Sequence, residues 1–160
     1  FIENKGNGLN LTMQVVDAIM CHNGELELEC YRPKKKTFQD FLSEYSKTYY
    51  EKDANASLIP CTLEGCVVRI SDIISYIGRD IEDALRLHII TKNDLPKDIM
   101  TTTGYTNKEI VNYFIRDVIN NSFGKDYIKM SKEAFENLKN LKTHRLSEVI
   151  IQKSEVFLTF

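Results

Sequence analysis

The sequence predicts an all-α protein of five to six helices, and three observations carry that expectation. Residues 62–87, TLEGCVVRISDIISYIGRDIEDALRL, keep an apolar face at helical spacing for about seven turns. Helix-start signatures recur: Thr37 followed by Asp40, and Thr106 followed by Glu109. The one alternating run, ELELECY at residues 25–31, stands too far from any second such run to build a sheet.

Composition bounds the rest. At 160 residues the chain can form a single helical domain, residues 1–160, burying about 70% of its unfolded surface. Its 42% hydrophobic and 28% charged residues are those of an ordinary globular protein. A net charge of −2 and a pI near 6.0 supply no long-range attraction for nucleic acid. The dense basic run RPKKK at residues 32–36 reads as a solvated loop before a helix, with phosphate or polynucleotide contact as the alternative. No apolar stretch approaches the length of a membrane span. Cys21, Cys30, Cys61 and Cys66 match no zinc spacing and are expected as free thiols, which points to a cytoplasmic location. Phe1 is not an initiator Met and the chain begins in mid-pattern, so it is expected to be part of a longer protein.

In order along the chain, Asn4, Gly6, Asn7, Gly8 and Asn10 are loop chemistry. Thr12 caps a first helix whose buried stripe is Val15, Val16, Ile19 and Met20, ended by His22-Asn23-Gly24. Residues 25–31 are a short strand or extended arm. A second helix opens at Thr37 and carries Phe38, Phe41, Leu42, Tyr45 and Tyr49 as a core-facing aromatic stripe to about Glu51. Pro60 then fixes the approach to the long helix. Pro96 breaks the chain, and residues 99–103 read as irregular. Thr106 and Glu109 open a helix with Ile110, Val111, Phe114, Ile115, Val118 and Ile119 at core spacing, closed by Ser122-Phe123-Gly124. A last helix opens at Ser131 and bends or stops within 143–147, ahead of an apolar tail at 149–160.

The long helix separates apolar from charged residues. Leu63, Cys66, Ile70, Ile73, Ile77, Ile81, Ala84 and Leu85 form the face for burial, with Val67 and Ile74 at its edge. Opposite, Asp72, Tyr76, Arg79, Asp80 and Asp83 make a stripe only about 100° wide, extended by Arg69 and Arg86. This is either a solvated face laced with ion pairs or a binding surface. On the second reading Asp72 is a hard oxygen ligand for a divalent cation, and Tyr76, one turn on, bonds a substrate oxygen.

The string SDIISYIGRDIEDAL resembles the last metal-ligand helix of HD-domain phosphohydrolases of the deoxyguanosinetriphosphate triphosphohydrolase type, in which an Asp is followed by a Tyr four residues later and then Asp-x-x-Asp-Ala. GLNLTMQVVDAIMCHNGE, residues 8–25, resembles that family's Gly-Leu-Asn-Leu-Thr helix start, and the P-x-T-L-E entry to the long helix at residues 60–64 agrees. The similarity extends loosely over residues 1–149. It implies a partial HD-domain-like helical bundle forming the C-terminal part of a metal-dependent phosphohydrolase. That enzyme would split a deoxynucleoside triphosphate into deoxynucleoside and triphosphate, as a homo-oligomer, with Mg²⁺, Mn²⁺, Fe²⁺ or Co²⁺. By the same resemblance Asp72 is the fourth metal ligand and Tyr76 the catalytic and substrate contact, while Asp80, Asp83, Arg79 and His22 bind substrate. The family's His and His-Asp ligands are absent, since no His-Asp pair occurs in the sequence and Cys21 stands where a phosphate-binding Lys is expected before His22. The chain alone is therefore expected to be inactive, its other ligands lying upstream of Phe1. The rival from another class is a helical regulatory or interaction domain whose Asp72 stripe meets a partner.

Overall fold

A computed structural model describes residues 8–22 and 28–143. The loop expected at residues 1–7, the Asn23-Gly24 helix stop, the start of the alternating run, the interruption within 144–147 and the apolar tail lie outside the described residues. The chain is all-α. The described residues form six helices: α1 (Met13–His22), α2 (Phe38–Tyr50), α3 (Leu63–Arg86), α4 (Lys97–Thr103), α5 (Asn107–Ser122) and α6 (Lys132–Thr143). Among the described residues the only strands are β1 (Cys30–Tyr31) and β2 (Ile128–Lys129), two residues each. The described residues fall into two compact units, 8–70 with 126–128, and 71–125 with 129–143.

In the first unit α1 packs on α2, but not through the stripe expected. Asp17 and Cys21 are the buried residues of α1, while Val15 and Ile19 are 43% and 39% exposed. The reason is a buried cation. Lys36 sits 2.5 Å from Asp17 Oδ1 and 2.7 Å from Glu44 Oε2, and its side chain is wholly buried. The helix turns its one acidic residue inward to meet it. The basic run is thus no uniform solvated loop: Lys36 is the ionic centre of this unit, while Lys34 pairs with Glu44 at its rim. On α2 the capping box of Thr37 and Asp40 forms as its spacing predicts. The aromatic stripe does not form a core. Phe41 alone is buried, whereas Phe38, Leu42, Tyr49 and Tyr50 are exposed. The rings of Phe38, Phe41, Tyr45 and Tyr49 instead stack along the helix at successive centroid spacings of 6.2, 5.8 and 5.2 Å.

The first turns of α3 belong to this unit. Thr62 Oγ1 accepts the Gly65 amide at 3.1 Å, and Cys66 and Ile70 enter a core with Tyr31, Leu58 and Pro60. Arg69 is no extension of the charged stripe. It is fully buried, donates to the Leu58 and Ala56 carbonyls, and lies 5.8 Å from the Tyr31 ring centroid. The 3₁₀ turn Ala54–Ser57 leads into the extended Leu58, whose carbonyl accepts from Arg69.

The second unit takes the rest of α3. Ile74 is buried as deeply as Ile81, so it belongs to the centre of the apolar face rather than its edge, and Ile77 and Ala84 complete that face. Residues 97–103 are not irregular but form α4, with Pro96 as its N-cap. Proline needs no amide partner there, so the residue that ends one helical pattern begins another. Ile99 and Met100 of α4 and Ile110 and Phe114 of α5 are buried, while Ile115 and Ile119 face outward. Ser131 Oγ accepts the Ala134 amide at 3.1 Å and so opens α6, and its own amide donates to Asp117 at 2.8 Å.

At the start of α5 Glu109 accepts the Tyr105 and Thr106 amides at 3.0 Å each, and Thr106 Oγ1 accepts the Glu109 amide at 3.2 Å. These bonds, with the Tyr105 amide foremost, hold the Glu109 carboxyl below its ordinary 4.5. Its contribution is therefore present above pH 4.5 and is lost as pH falls through the lower folded value. Thr106→Ala should cost about 1 kcal/mol in urea unfolding at neutral pH, and the gap between variant and wild type should shrink under acid conditions.

Candidate functional site

The second unit holds a concavity of about 470 Å³ lined by Asp72, Ser75, Tyr76, Arg79, Asn107 and Val111. Residues 72, 75, 76 and 79 lie on one face of α3 at helical spacing, and α5 contributes residues 107 and 111. Asp72 is half-buried, whereas Tyr76 is 60% exposed and Arg79 is exposed. Ser75 Oγ donates to the Asp72 carbonyl at 2.9 Å, so its hydroxyl is turned back to the backbone. Arg79 forms no ion pair among the described residues, neither with Asp80 nor with Asp83. The concavity thus offers a carboxylate, a phenol and an unneutralised guanidinium. That set suits an anionic ligand bearing several oxygens.

The other sequence-predicted residues are placed elsewhere. Asp80 and Asp83 are exposed on α3 and do not line the concavity. Partial burial and then the Asp83 charge raise the Asp80 carboxyl above its ordinary value. His22 belongs to the first unit, where its Nδ1 is 2.5 Å from the Ile19 carbonyl at the end of α1. It lines a separate hollow of about 460 Å³ with Tyr49, Tyr50, Lys52 and Asp53. A further polar hollow of about 530 Å³, lined by Asn112, Tyr113, Arg116 and Asn120 among others, contains none of the predicted residues.

Among the described residues no group of three or more His, Cys, Asp and Glu side chains is disposed to hold a metal ion. Asp72 by itself does not fit a divalent ion with a full protein donor set. The cysteines add no ligand. All four are unbridged, and burial, reinforced at Cys21 by Asp17, pushes the Cys21 thiol up to about 12. Burial likewise raises Cys61 and Cys66 to about 11, so these thiols stay protonated and unreactive near neutral pH.

Sequence reasoning missed two things here. Asn107 was missed because nothing local says that α5 faces the Asp72 stripe. Asp17 and Lys36 were missed because they meet across 19 residues. The one available signal was an acidic residue lying among apolar positions of α1.

The chain is similar to proteins named deoxyguanosinetriphosphate triphosphohydrolase-like protein. The one from Caldanaerobacter subterraneus subsp. tengcongensis is 36% identical over 150 residues, which cover 94% of this chain and 35% of that protein. That of Clostridium perfringens is 29% identical over 157 residues, 95% of this chain and 38% of its own length. That of Desulfatibacillum aliphaticivorans is 30% identical over 151 residues, 92% and 37%. The chain therefore spans a little over a third of the length of these curated relatives. No protein-family model matches it, and no solved structure matches it.

Proposed function

We propose that this chain is part of a nucleotide phosphohydrolase that converts a deoxynucleoside triphosphate, dGTP in the first instance, into deoxynucleoside and inorganic triphosphate. The observation that carries the reading is the shared concavity of Asp72, Tyr76 and Arg79, in a chain aligned over nearly its whole length with relatives of that name. Arg79 binds phosphate oxygens through its planar fork, and the Tyr76 hydroxyl donates to one of them. Asp80 and Asp83, farther along α3, serve the sugar. Asp72 supplies a single carboxylate toward a divalent ion whose other protein donors would come from outside these 160 residues.

His22, at the end of α1, is in this proposal a polar contact of the first unit's own hollow. Homo-oligomeric assembly and a cytoplasmic location complete it; the exposed apolar side chains of α1 and α2 support a covering partner. No described helix is long and apolar enough to cross a membrane.

The test is product identity. The full gene product, incubated with dGTP and Mn²⁺ and followed by ³¹P NMR, should release intact triphosphate and deoxyguanosine. Release of orthophosphate with dGDP, or no turnover with any of the four deoxynucleotides, would refute the assignment.

A further inference from the structure

We infer that Asn107, through its side-chain amide nitrogen, is a further phosphate-contacting residue of this concavity, held in place by Gly78. The inference rests on the phosphohydrolase reading above and extends it to a residue on a second helix.

Two independent observations single out Asn107. It lines the concavity with Asp72, Tyr76 and Arg79. Its Oδ1 is buried without a hydrogen-bond partner among the described residues. The reason for that burial is the close approach of α5 to α3: a Cβ built on Gly78 would collide with Asn107 Oδ1 and lie 3.1 Å from Val111 Cγ2. Only a residue without Cβ lets the amide lie flat on α3 at this point.

The orientation of the amide follows from what it touches. Against a glycine Cα, an oxygen can accept a weak C–H contact, whereas an NH₂ group there would bury two donors with nothing to receive them. The oxygen therefore faces Gly78, and Nδ2 is the end left toward the opening. Tyr76 and Arg79 of α3 and Asn107 of α5 line the same concavity, so its wall carries three donor-bearing side chains. An orphaned buried carbonyl is a cost that a fold carries at few places. Here it fixes the direction of the donor at the other end of the same planar group, and three donors around one hollow match a polyphosphate better than a sugar or a base.

The probe is inorganic triphosphate, titrated into the ¹⁵N-labelled chain to millimolar concentration. The Asn107 side-chain NH₂ signal, assigned by its loss in Asn107→Asp, and the Arg79 Nε–H signal, assigned by its loss in Arg79→Met, should shift along one saturation curve. In Asn107→Asp the Arg79 signal should report a Kd raised about tenfold or more, since a donor becomes a repelling carboxylate. That variant keeps the helix, because an acidic residue suits the first turn. Gly78→Ala, which pushes the amide off its seat, should weaken binding in the same direction. If Arg79 and the α3 amides shift with an unchanged Kd in Asn107→Asp, the role of Asn107 is refuted and the phosphate site stands. If no signal of α3 or Asn107 moves, the phosphate site fails and the inference falls with it.

Discussion

Replacing Lys36 by methionine should lower the unfolding free energy of the first unit by about 3–5 kcal/mol, a large share of the total stability of a domain this size. The methionine fills the volume but leaves Asp17, fully buried, with the Cys61 amide at 2.7 Å and the Cys61 thiol as hydrogen-bond partners and no cation. Glu44 would keep Lys34 at 3.0 Å and so loses less. The penalty is that of an uncompensated charge and not of a lost contact. Asp17→Asn added to Lys36→Met should therefore recover more than half of the loss, since it removes the stranded charge at constant shape. Full additivity of the two losses in a double-mutant cycle would contradict the pairing.

The pH dependence of this cluster has a definite sign. Burial opposes the Lys36 charge, but hydrogen bonds to Asp17 and Glu44 outweigh it, so the ammonium pKa is held above its ordinary 10.5. A raised pKa of this kind stabilises the fold fully below pH 10.5, and the contribution disappears as pH rises through the higher folded value. Lys36→Met lacks that alkaline transition. Urea midpoints at pH 7, 10 and 12 measure that difference.

What could be read from the sequence is what neighbouring residues decide. The boxes at Thr37 and Thr106 join residues three apart, and each formed as its spacing demands. The apolar face of α3 is a property of one helix, and Asp72, Tyr76 and Arg79 share a face because of periodicity alone. Burial was less legible, because it depends on what arrives from elsewhere. Ile115 and Ile119 have core spacing yet face outward, and Arg69 looked like surface until the Ala56 and Leu58 carbonyls came to it. The α4 helix was hidden for another reason. Its seven residues, three of them threonine, carry little propensity, and its proline looks like a stop from upstream and a start from downstream. Asn107 became visible as a site residue only when α5 was seen against Gly78.

Asp72→Asn in the full gene product should reduce dGTP turnover by roughly three orders of magnitude, while shifting stability by less than about 0.5 kcal/mol. The two figures must be read together. Asp72 is half-buried at the rim of a concavity and its carboxylate is not engaged in any ion pair of the described residues. An amide of the same shape therefore leaves the packing of α3 undisturbed. A functional carboxylate is a different matter, since its charge is what a divalent ion or a transferring group requires, and several kcal/mol of transition-state stabilisation depend on it at about 1.4 kcal/mol per tenfold in rate. Tyr76→Phe, which deletes one hydrogen-bond donor and no charge, should cost a smaller factor, about 10- to 100-fold. A rank order with Asp72 well below Tyr76, at equal melting temperature, is the signature of a catalytic stripe. If Asp72→Asn turned over within threefold of wild type, the charged face of α3 would be a solvated surface, and the helical interaction domain would be the better account of the chain.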